Sequence, residues 1–135
     1  MNKIIPNDEE YIFQGKVAIC QTDLEGNITF VNRKFCEISG YSVNELTQNN
    51  INILKHPDTN SYIYEKMCNT IKSGQVYNGM LKNIRKDGSY YWIDIEITNI
   101  IDEQKRITGY ISVSKPSPRK NIQYDELNNI TNNQE

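Results

Sequence analysis

The stretch of residues 82–97 constrains the fold more strongly than any other part of this sequence. It contains two strand-like runs joined at Lys86-Asp87-Gly88. Asp-Gly between such runs is a strong hairpin signal, because glycine readily adopts the positive φ that the turn requires. After the turn, apolar and polar residues alternate with the period of a β-strand, so one face is predicted to pack in a core. That face carries Tyr91, Ile93, Ile95 and Ile97.

The first strand of this hairpin carries an amide side chain, Asn83, among apolar neighbours. A buried amide must be hydrogen-bonded, because burying it without a partner costs free energy. The partner can be another protein group or a bound molecule, and an amide can both donate and accept. Asn83 is therefore the first candidate for a residue that contacts a ligand.

The remaining elements follow from turn and capping signals. Two strands are predicted within residues 16–23 and 28–31. Helices are predicted at 33–39 with Asn32 as the N-cap, from Ser42 onward, and at 60–73. Three further strands are predicted at 76–85, 90–101 and 106–115. This order of strands, helices and strands predicts an α+β fold with an antiparallel sheet.

Composition excludes several classes of protein. A chain of 135 residues with 37% hydrophobic residues is long enough for one domain with one core. A net charge of −2 argues against a nucleic-acid binder that neutralises phosphates. No apolar run approaches membrane-spanning length, so direct membrane insertion is not expected. The three cysteines are widely spaced and lack a Cys-x-x-Cys pair, which argues against a disulfide framework or zinc site and fits a reducing cytoplasm.

Three regions are expected along the chain. Residues 1–15 form an N-terminal cap whose aromatic side chains lie on the domain, and residues 16–116 form the domain itself. Residues 117–135 form a polar, Asn-rich tail that begins after Pro116. The tail is expected to be loose, with residues 124–130 able to form a short helix on a partner.

Several short motifs resemble those of PAS domains over roughly residues 17–115. They are Thr22-Asp23, Gly26-Asn27-Ile28, Asn32, Phe35, Ile38-Ser39-Gly40-Tyr41, Glu45-Leu46 and Lys86-Asp87-Gly88-Ser89-Tyr90-Tyr91-Trp92. Each motif is common alone, whereas their order and spacing are specific. The resemblance implies a five-stranded antiparallel sheet with helices packed on one face and a small pocket between them. Residues 16–116 would then be a PAS sensor domain.

A narrower resemblance is to the FAD-binding PAS domains of bacterial energy-taxis sensors, the Aer type, and to the redox-sensing PAS domain of the NifL type. It rests on His56-Pro57-Asp58, Met67, Gly74, Gly79, Lys82-Asn83 and Gly109-Tyr110-Ile111-Ser112. In that family the flavin ring lies between the helices and the sheet. The resemblance implies that Asn83 faces the pyrimidine edge of the flavin and that Asn32 lines the pocket. His56 and Asp58 match a segment that FAD binding requires, and Lys55 stands where the family usually has an arginine that could meet a phosphate.

Two aromatic positions complete the candidate cofactor site. Tyr91 lies on the core face of the hairpin, and Tyr77 stands where the family usually has tryptophan. Cys68 also replaces a family tryptophan, which reduces the aromatic surface available to a flavin. The chain lacks the Asn-Cys-Arg-Phe-Leu-Gln motif of light-sensing flavin PAS domains, which argues against adduct photochemistry.

These features leave three hypotheses open. The first is a cytoplasmic PAS sensor that binds FAD non-covalently and signals redox or energy state to a separate partner such as a chemotaxis transducer. The second is a cofactor-free interaction or dimerisation module whose pocket is filled by side chains such as Tyr77 and Met67. The third is a haem or small-metabolite sensor, with His56 as the haem ligand. The sequence offers no catalytic arrangement, so we expect a protein that is not an enzyme.

The side chains outside the core face carry weaker signals. Alternation places Trp92 on the outer face of the sheet, where it is expected to be exposed, either against the N-terminal cap or at an interface with a partner or a second copy. Arg85 and Lys86 are interpreted as solvated turn charges. Ser112 and Ser114 alternate with apolar residues, and the sequence does not show which set faces inward.

Overall fold

The computed structural model describes the backbone of residues 3–133 and the side chains of residues 3–127. Five antiparallel strands form one sheet in the spatial order β2-β1-β5-β4-β3. They are β1 (Ala18–Asp23), β2 (Ile28–Val31), β3 (Tyr77–Ile84), β4 (Tyr90–Ile101) and β5 (Ile107–Pro116). The helices are α1 (Arg33–Ser39), α2 (Val43–Thr47), α3 (Ser61–Lys72) and α4 (Arg119–Asn133), with a 3₁₀ turn at Ile51–Leu54. The predicted α+β architecture with a five-stranded antiparallel sheet is confirmed.

Capping residues set the helix ends. The Asn32 side chain accepts a hydrogen bond from the first turn of α1, and Gly40 ends that helix with a φ of 80°. Ser42 and Glu45 form a reciprocal capping box at the start of α2. Asn60 caps α3 in the same way as Asn32 caps α1. These short polar signals fix where each helix begins on the inner face of the sheet.

The core lies between the inner face of the sheet and helices α1 to α3. Tyr91 and Ile93 of β4 are 0% and 2% exposed, as the alternation of the hairpin predicts. They pack in one cluster with Phe35 and Ile38 of α1 and with Phe13 from the N-terminal segment. The predicted inward face of β4 is therefore confirmed.

The turn of the β3–β4 hairpin packs on the C-terminal end of α1. Arg85 Nε donates to the Ile38 carbonyl at 2.8 Å, and Arg85 Nη2 donates to the Glu37 carbonyl at 3.0 Å. Lys86 Nζ pairs with Glu45 of α2 at 2.6 Å. The interpretation of Arg85 as a solvated turn charge is wrong, because the last carbonyls of a helix lack intrahelical partners and attract cations. Lys86 is a solvated turn charge as interpreted, with a side chain that is 50% exposed.

The outer face of the sheet is covered where it was expected to be open. Trp92 is 6% exposed, so the expectation of an exposed tryptophan is wrong. The chain after β5 returns over this face: Ser117 donates to Asp94 at 2.8 Å, and Ile122 of α4 is 2% exposed. The expected loose tail is helical over Arg119–Asn133, and burial of Ile122 supplies the apolar contact that holds its first turns.

Candidate functional site

A cavity of about 550 Å³ lies between the inner face of the sheet and helices α1 and α3. Its sheet wall includes Cys20, Leu81, Ile93, Ile95, Ile97 and Ser114. Its opposite wall includes Phe35, Ile51, Leu54, Met67 and Ile71. Protein cores contain few voids larger than a water molecule, whereas ligand pockets span about 300–1,000 Å³. The cavity therefore has the size and the apolar walls of a ligand site.

One row of residues across the sheet is small, and of this row Ser114 and Ile95 line the cavity. Strand register places Ala18 opposite Ser114, Ser114 opposite Ile95, and Ile95 opposite Gly79. All four belong to the inward-facing set, and three of them carry little or no side chain. Bulk at Gly79 is also excluded by a neighbour, because a Cβ there would lie 2.5 Å from the Tyr77 hydroxyl oxygen.

Two polar side chains on the sheet face this apolar space. Asn83 of β3 is 9% exposed and lines the cavity, and across the hairpin it pairs with Tyr91 of β4. Ser114 of β5 is 1% exposed, and within residues 3–127 its Oγ has no hydrogen-bond partner. Buried polar groups are nearly always hydrogen-bonded in folded proteins. These two groups mark positions where a bound molecule would complete the hydrogen bonding.

A surface groove lies beside the cavity, and Lys55, Tyr64 and Cys68 line both. Lys55 Nζ lies 4.5 Å from the centroid of the Tyr64 ring, which is a cation–π distance. The groove continues to His56 and to Ser61 at the start of α3. Free N–H groups at a helix start favour anions. A cation and a helix N-terminus therefore lie beside the cavity.

His56 lines this groove, Asp58 is not among its lining residues, and neither residue lines the cavity. His56 is 3% exposed, and its Nδ1 accepts a hydrogen bond from the Asp58 N–H at 3.0 Å. Burial lowers the pKa of His56, nearby Lys82 lowers it further, and Asp58 opposes both effects. The imidazole is therefore neutral at pH 7, with its proton on Nε2.

Asn32 and Tyr77, two predicted pocket residues, also lie outside the cavity lining. Asn32 Oδ1 accepts from the N–H groups of Phe35 and Ile19, each at 3.0 Å, and Nδ2 donates to the Val17 carbonyl at 3.1 Å. This amide ties α1 to the first strand. Tyr77 is 7% exposed in a second apolar cluster beside α3. A cofactor contact by either residue stays a prediction.

The structure brings two of the predicted site residues, Asn83 and Lys55, to the cavity, with Tyr91 directly behind Asn83 in the strand register. Sequence reasoning gave little weight to Ser112 and Ser114, which also line it. The signal that could have placed them is the pairing of β5. Strand β5 lies between β1 and β4. Its inward-facing residues can therefore be assigned only when its pairing with both neighbours is known.

A family model described as the PAS fold matches residues 15–116. The chain belongs to the PAS family. This PAS domain is 35% identical over 102 residues to the nitrogen fixation regulatory protein of Klebsiella pneumoniae, covering 76% of this chain and 21% of that protein. It is 37% identical over 92 residues to the aerotaxis receptor of Escherichia coli K12, covering 68% of this chain and 18% of that protein. The chain thus spans about a fifth of the length of these relatives.

Solved PAS-like structures share the fold. A light-oxygen-voltage domain studied with a flavin analogue superposes with a TM-score of 0.74 at 22% identity, over 85% of this chain and 87% of that one. The light state of the aureochrome1 light-oxygen-voltage domain gives 0.73 at 24% identity, over 82% and 91% of the two chains. The predicted membership of the PAS family is confirmed, so the chain is a sensory domain. Over residues 3–133, no helix combines the length and apolar character needed to cross a bilayer.

Proposed function

We propose that this PAS domain binds FAD non-covalently in the cavity and signals redox or energy state to a separate partner. The observation that carries the proposal is the buried Asn83 amide facing an apolar space of about 550 Å³. A flavin ring is flat and largely apolar with a polar pyrimidine edge, and an amide can serve both donors and acceptors on that edge. Similarity to an aerotaxis receptor and to a nitrogen fixation regulatory protein supports the same proposal.

The residues around the cavity fit a flavin. Leu81, Ile95 and Phe35 would enclose the ring, while Asn83 and Ser114 would bond its polar atoms. The groove beside the cavity offers Lys55 and the start of α3 to the phosphates of FAD. Lysine binds a phosphate as a point charge, without the planar guanidinium of arginine. This contact would therefore add electrostatic attraction but little directional specificity.

A bound flavin supplies electron-transfer chemistry, in which the charge and protonation of the ring change on reduction. Asn83 can respond because its amide can exchange donor and acceptor roles. Its backbone forms a bridge to Lys55 and pairs with Tyr91 across the hairpin, so a change at the amide acts on the groove and on β4. Trp92 lies on the outer face of β4, which is the face that α4 covers.

We propose that the β3–β4 hairpin transmits this conformational change to α4. Helix α4 would then transmit it to a partner such as a chemotaxis transducer or a second copy of the chain. A cytoplasmic setting is part of the proposal. The free cysteines, Cys20, Cys36 and Cys68, suit a reducing compartment.

The two competing hypotheses have less support. A cofactor-free module needs a pocket filled by side chains such as Tyr77 and Met67. Met67 lines the cavity, Tyr77 does not, and about 550 Å³ of space remains. A haem site needs an iron ligand at the cavity, whereas His56 uses Nδ1 to accept from the backbone beside the groove.

The test is the absorption spectrum of the purified protein, followed by titration of the flavin-free form with FAD and riboflavin. We expect a flavin spectrum that Asn83→Ala weakens and that Asn78→Ala, on the exposed side of the same strand, leaves unchanged. Lys55→Ala should weaken FAD about tenfold, equivalent to about 1.4 kcal/mol, and riboflavin little, because riboflavin has no phosphate. Protein that stays colourless after reconstitution would refute the proposal.

A further inference from the structure

The N-terminal segment, residues 3–14, extends the sheet at the place where β5 leaves it. Strand β5 pairs with β4 from Ile93 onward, whereas Tyr90, earlier in β4, pairs with β3 on one side only. On the other side of Tyr90, its carbonyl accepts a hydrogen bond from the Tyr11 N–H at 2.7 Å, and Glu10 forms a parallel bridge to it. The segment therefore occupies the edge of β4 that β5 leaves open.

Contacts on both sides of this pairing fix the position of the segment. Before it, the Asn7 N–H donates to the Gly88 carbonyl in the hairpin turn at 2.9 Å. The backbone passes so close to this turn that a Cβ at Gly88 would lie 2.4 Å from the Ile5 carbonyl oxygen. After the pairing, the Phe13 ring is 6% exposed and belongs to the core. The segment is therefore an ordered part of the sheet rather than a loose leader.

Helix α4 begins beside this segment. Its first residue is Arg119, whose Nη1 donates to Glu10 Oε2 at 2.5 Å. The Glu10 side chain is 17% exposed and that of Arg119 is 54% exposed. Further along α4, Ile122 is 2% exposed and packs on the sheet, whereas Tyr124 is 69% exposed. The Glu10–Arg119 pair thus joins the segment that precedes the domain to the helix that follows it.

We propose that the N-terminal segment and α4 open and close together, joined by the Glu10–Arg119 pair, so that release of either one loosens the other. Thermodynamic linkage makes such coupling reciprocal. Peripheral segments open locally at free energies well below that of global unfolding, so a modest contact changes how often they open. The coupling rests only on the contacts described above. Its use in signalling, with the segment controlling α4 as the route to a partner, rests on the proposed function.

The first test measures backbone amide hydrogen exchange in flavin-free protein. Glu10→Gln removes the charge and keeps the size, so exchange at the Ile122 amide of α4 should become about twofold to fivefold faster. Glu37→Gln is the matched control, because it breaks a comparable ion pair, to Lys34 at 3.2 Å, that does not involve α4. Combining Glu10→Arg with Arg119→Glu should restore slow exchange. Unchanged exchange in Glu10→Gln, or no restoration by the exchanged pair, would overturn the proposal.

The second test measures the coupling in the opposite direction. Ile122→Ala removes the buried side chain of α4 and leaves the N-terminal segment unaltered, so exchange at the Tyr11 amide, which donates to β4, should become faster. Tyr124→Ala changes an exposed residue of the same helix and should leave exchange at Tyr11 as in the wild type. Wild-type exchange at Tyr11 in Ile122→Ala would mean that β4 holds the segment independently of α4, and the proposal would be wrong.

Flavin binding separates this proposal from the proposed function. If Glu10→Gln loosens α4 in a protein that binds no flavin, the coupling holds and the proposed function fails. If flavin binds and Glu10→Gln leaves α4 exchange unchanged, the proposed function holds and the coupling fails. Where both hold, reduction of the flavin should change exchange at the Tyr11 amide and in α4 together. A change in α4 alone would contradict the coupling.

Discussion

Replacing Arg85 with alanine would detach the turn of the β3–β4 hairpin from helix α1. The guanidinium makes two hydrogen bonds to the last carbonyls of α1, at 2.8 and 3.0 Å, and its central carbon lies 4.1 Å from the centroid of the Tyr11 ring. The Arg85 side chain is only 16% exposed. One side chain thus joins the hairpin, the helix and the N-terminal segment.

The size of the effect follows from these contacts. A hydrogen bond from a charged donor contributes about 1.5–3 kcal/mol. The lower end applies because the bond to the Glu37 carbonyl is exposed and the bond to the Ile38 carbonyl is only partly buried. A partly exposed cation–π contact adds about 0.5–1 kcal/mol. The ion pair with Asp87, whose side chain is 61% exposed, contributes little. The expected loss in the free energy of unfolding is therefore about 3.5–4 kcal/mol, a large share of a typical domain stability of about 5–15 kcal/mol.

The assay is urea unfolding followed by circular dichroism, with Arg106→Ala as the matched control. Arg106 also pairs with an aspartate, Asp102, at 3.0 Å, but its side chain is 73% exposed and holds no helix end, so its removal should cost less than about 0.5 kcal/mol. Arg85→Lys keeps the charge without the planar fork and should lose about half as much as Arg85→Ala. Equal unfolding free energies for Arg85→Ala and Arg106→Ala would refute this account of the hairpin.

Three further predictions concern Gly79, His56 and the cysteines. Gly79→Ala should lower the free energy of unfolding by about 1–3 kcal/mol and reduce the melting temperature, because the new Cβ would lie 2.5 Å from the Tyr77 hydroxyl oxygen. Adding Tyr77→Phe to Gly79→Ala should recover part of that loss. No recovery would mean that the clash lies elsewhere. The pKa of His56 is lowered in the folded state, so the unfolded chain, with an ordinary pKa of 6.5, binds more protons, and the free energy of unfolding should fall as the pH drops below that value. In His56→Gln, the free energy of unfolding should depend less steeply on pH than in the wild type. An unchanged pH dependence would contradict this assignment. Iodoacetamide at pH 8 should label the exposed Cys68 and spare the buried Cys20, because burial raises the pKa of Cys20 to about 12. Mass spectrometry after labelling of the folded protein measures the two extents. Equal labelling would mean that β1 is accessible to the reagent.

Elements whose ends carry their own chemical signals were predictable from the sequence. Helix α1 was predicted with the bounds that the structure shows, because Asn32 satisfies its first turn and Gly40 supplies the left-handed residue after its last. The 3₁₀ turn at Ile51–Leu54 was not predicted, since the Asn-rich segment around it has no helical or strand period. Local signals thus fixed the regular elements, and packing of the surrounding segment fixed the irregular one.

Features that depend on contacts between distant segments were harder to predict from the sequence. Alternation placed Trp92 on the outer face correctly, but it could not show that α4 returns over that face, because among the described side chains of α4 only Ile122 is buried. Arg85 could be read as a turn residue, but the helix end that it meets lies 47 residues away in the chain. Ser114 became a site residue only through its pairing with β1 and β4.

The row formed by Ala18, Ser114, Ile95 and Gly79 has an evolutionary consequence. Strand register and helix caps hold the fold, whereas Ser114, the small member of this row that lines the cavity, leaves space that a ligand can occupy. A larger apolar residue at Ser114 would remove an unsatisfied hydroxyl and fill part of the space, changes that tend to stabilise a core. A sensory PAS domain of this kind could therefore become a ligand-free one in few mutational steps without losing stability. Retaining the cavity would then require continued selection for what it binds.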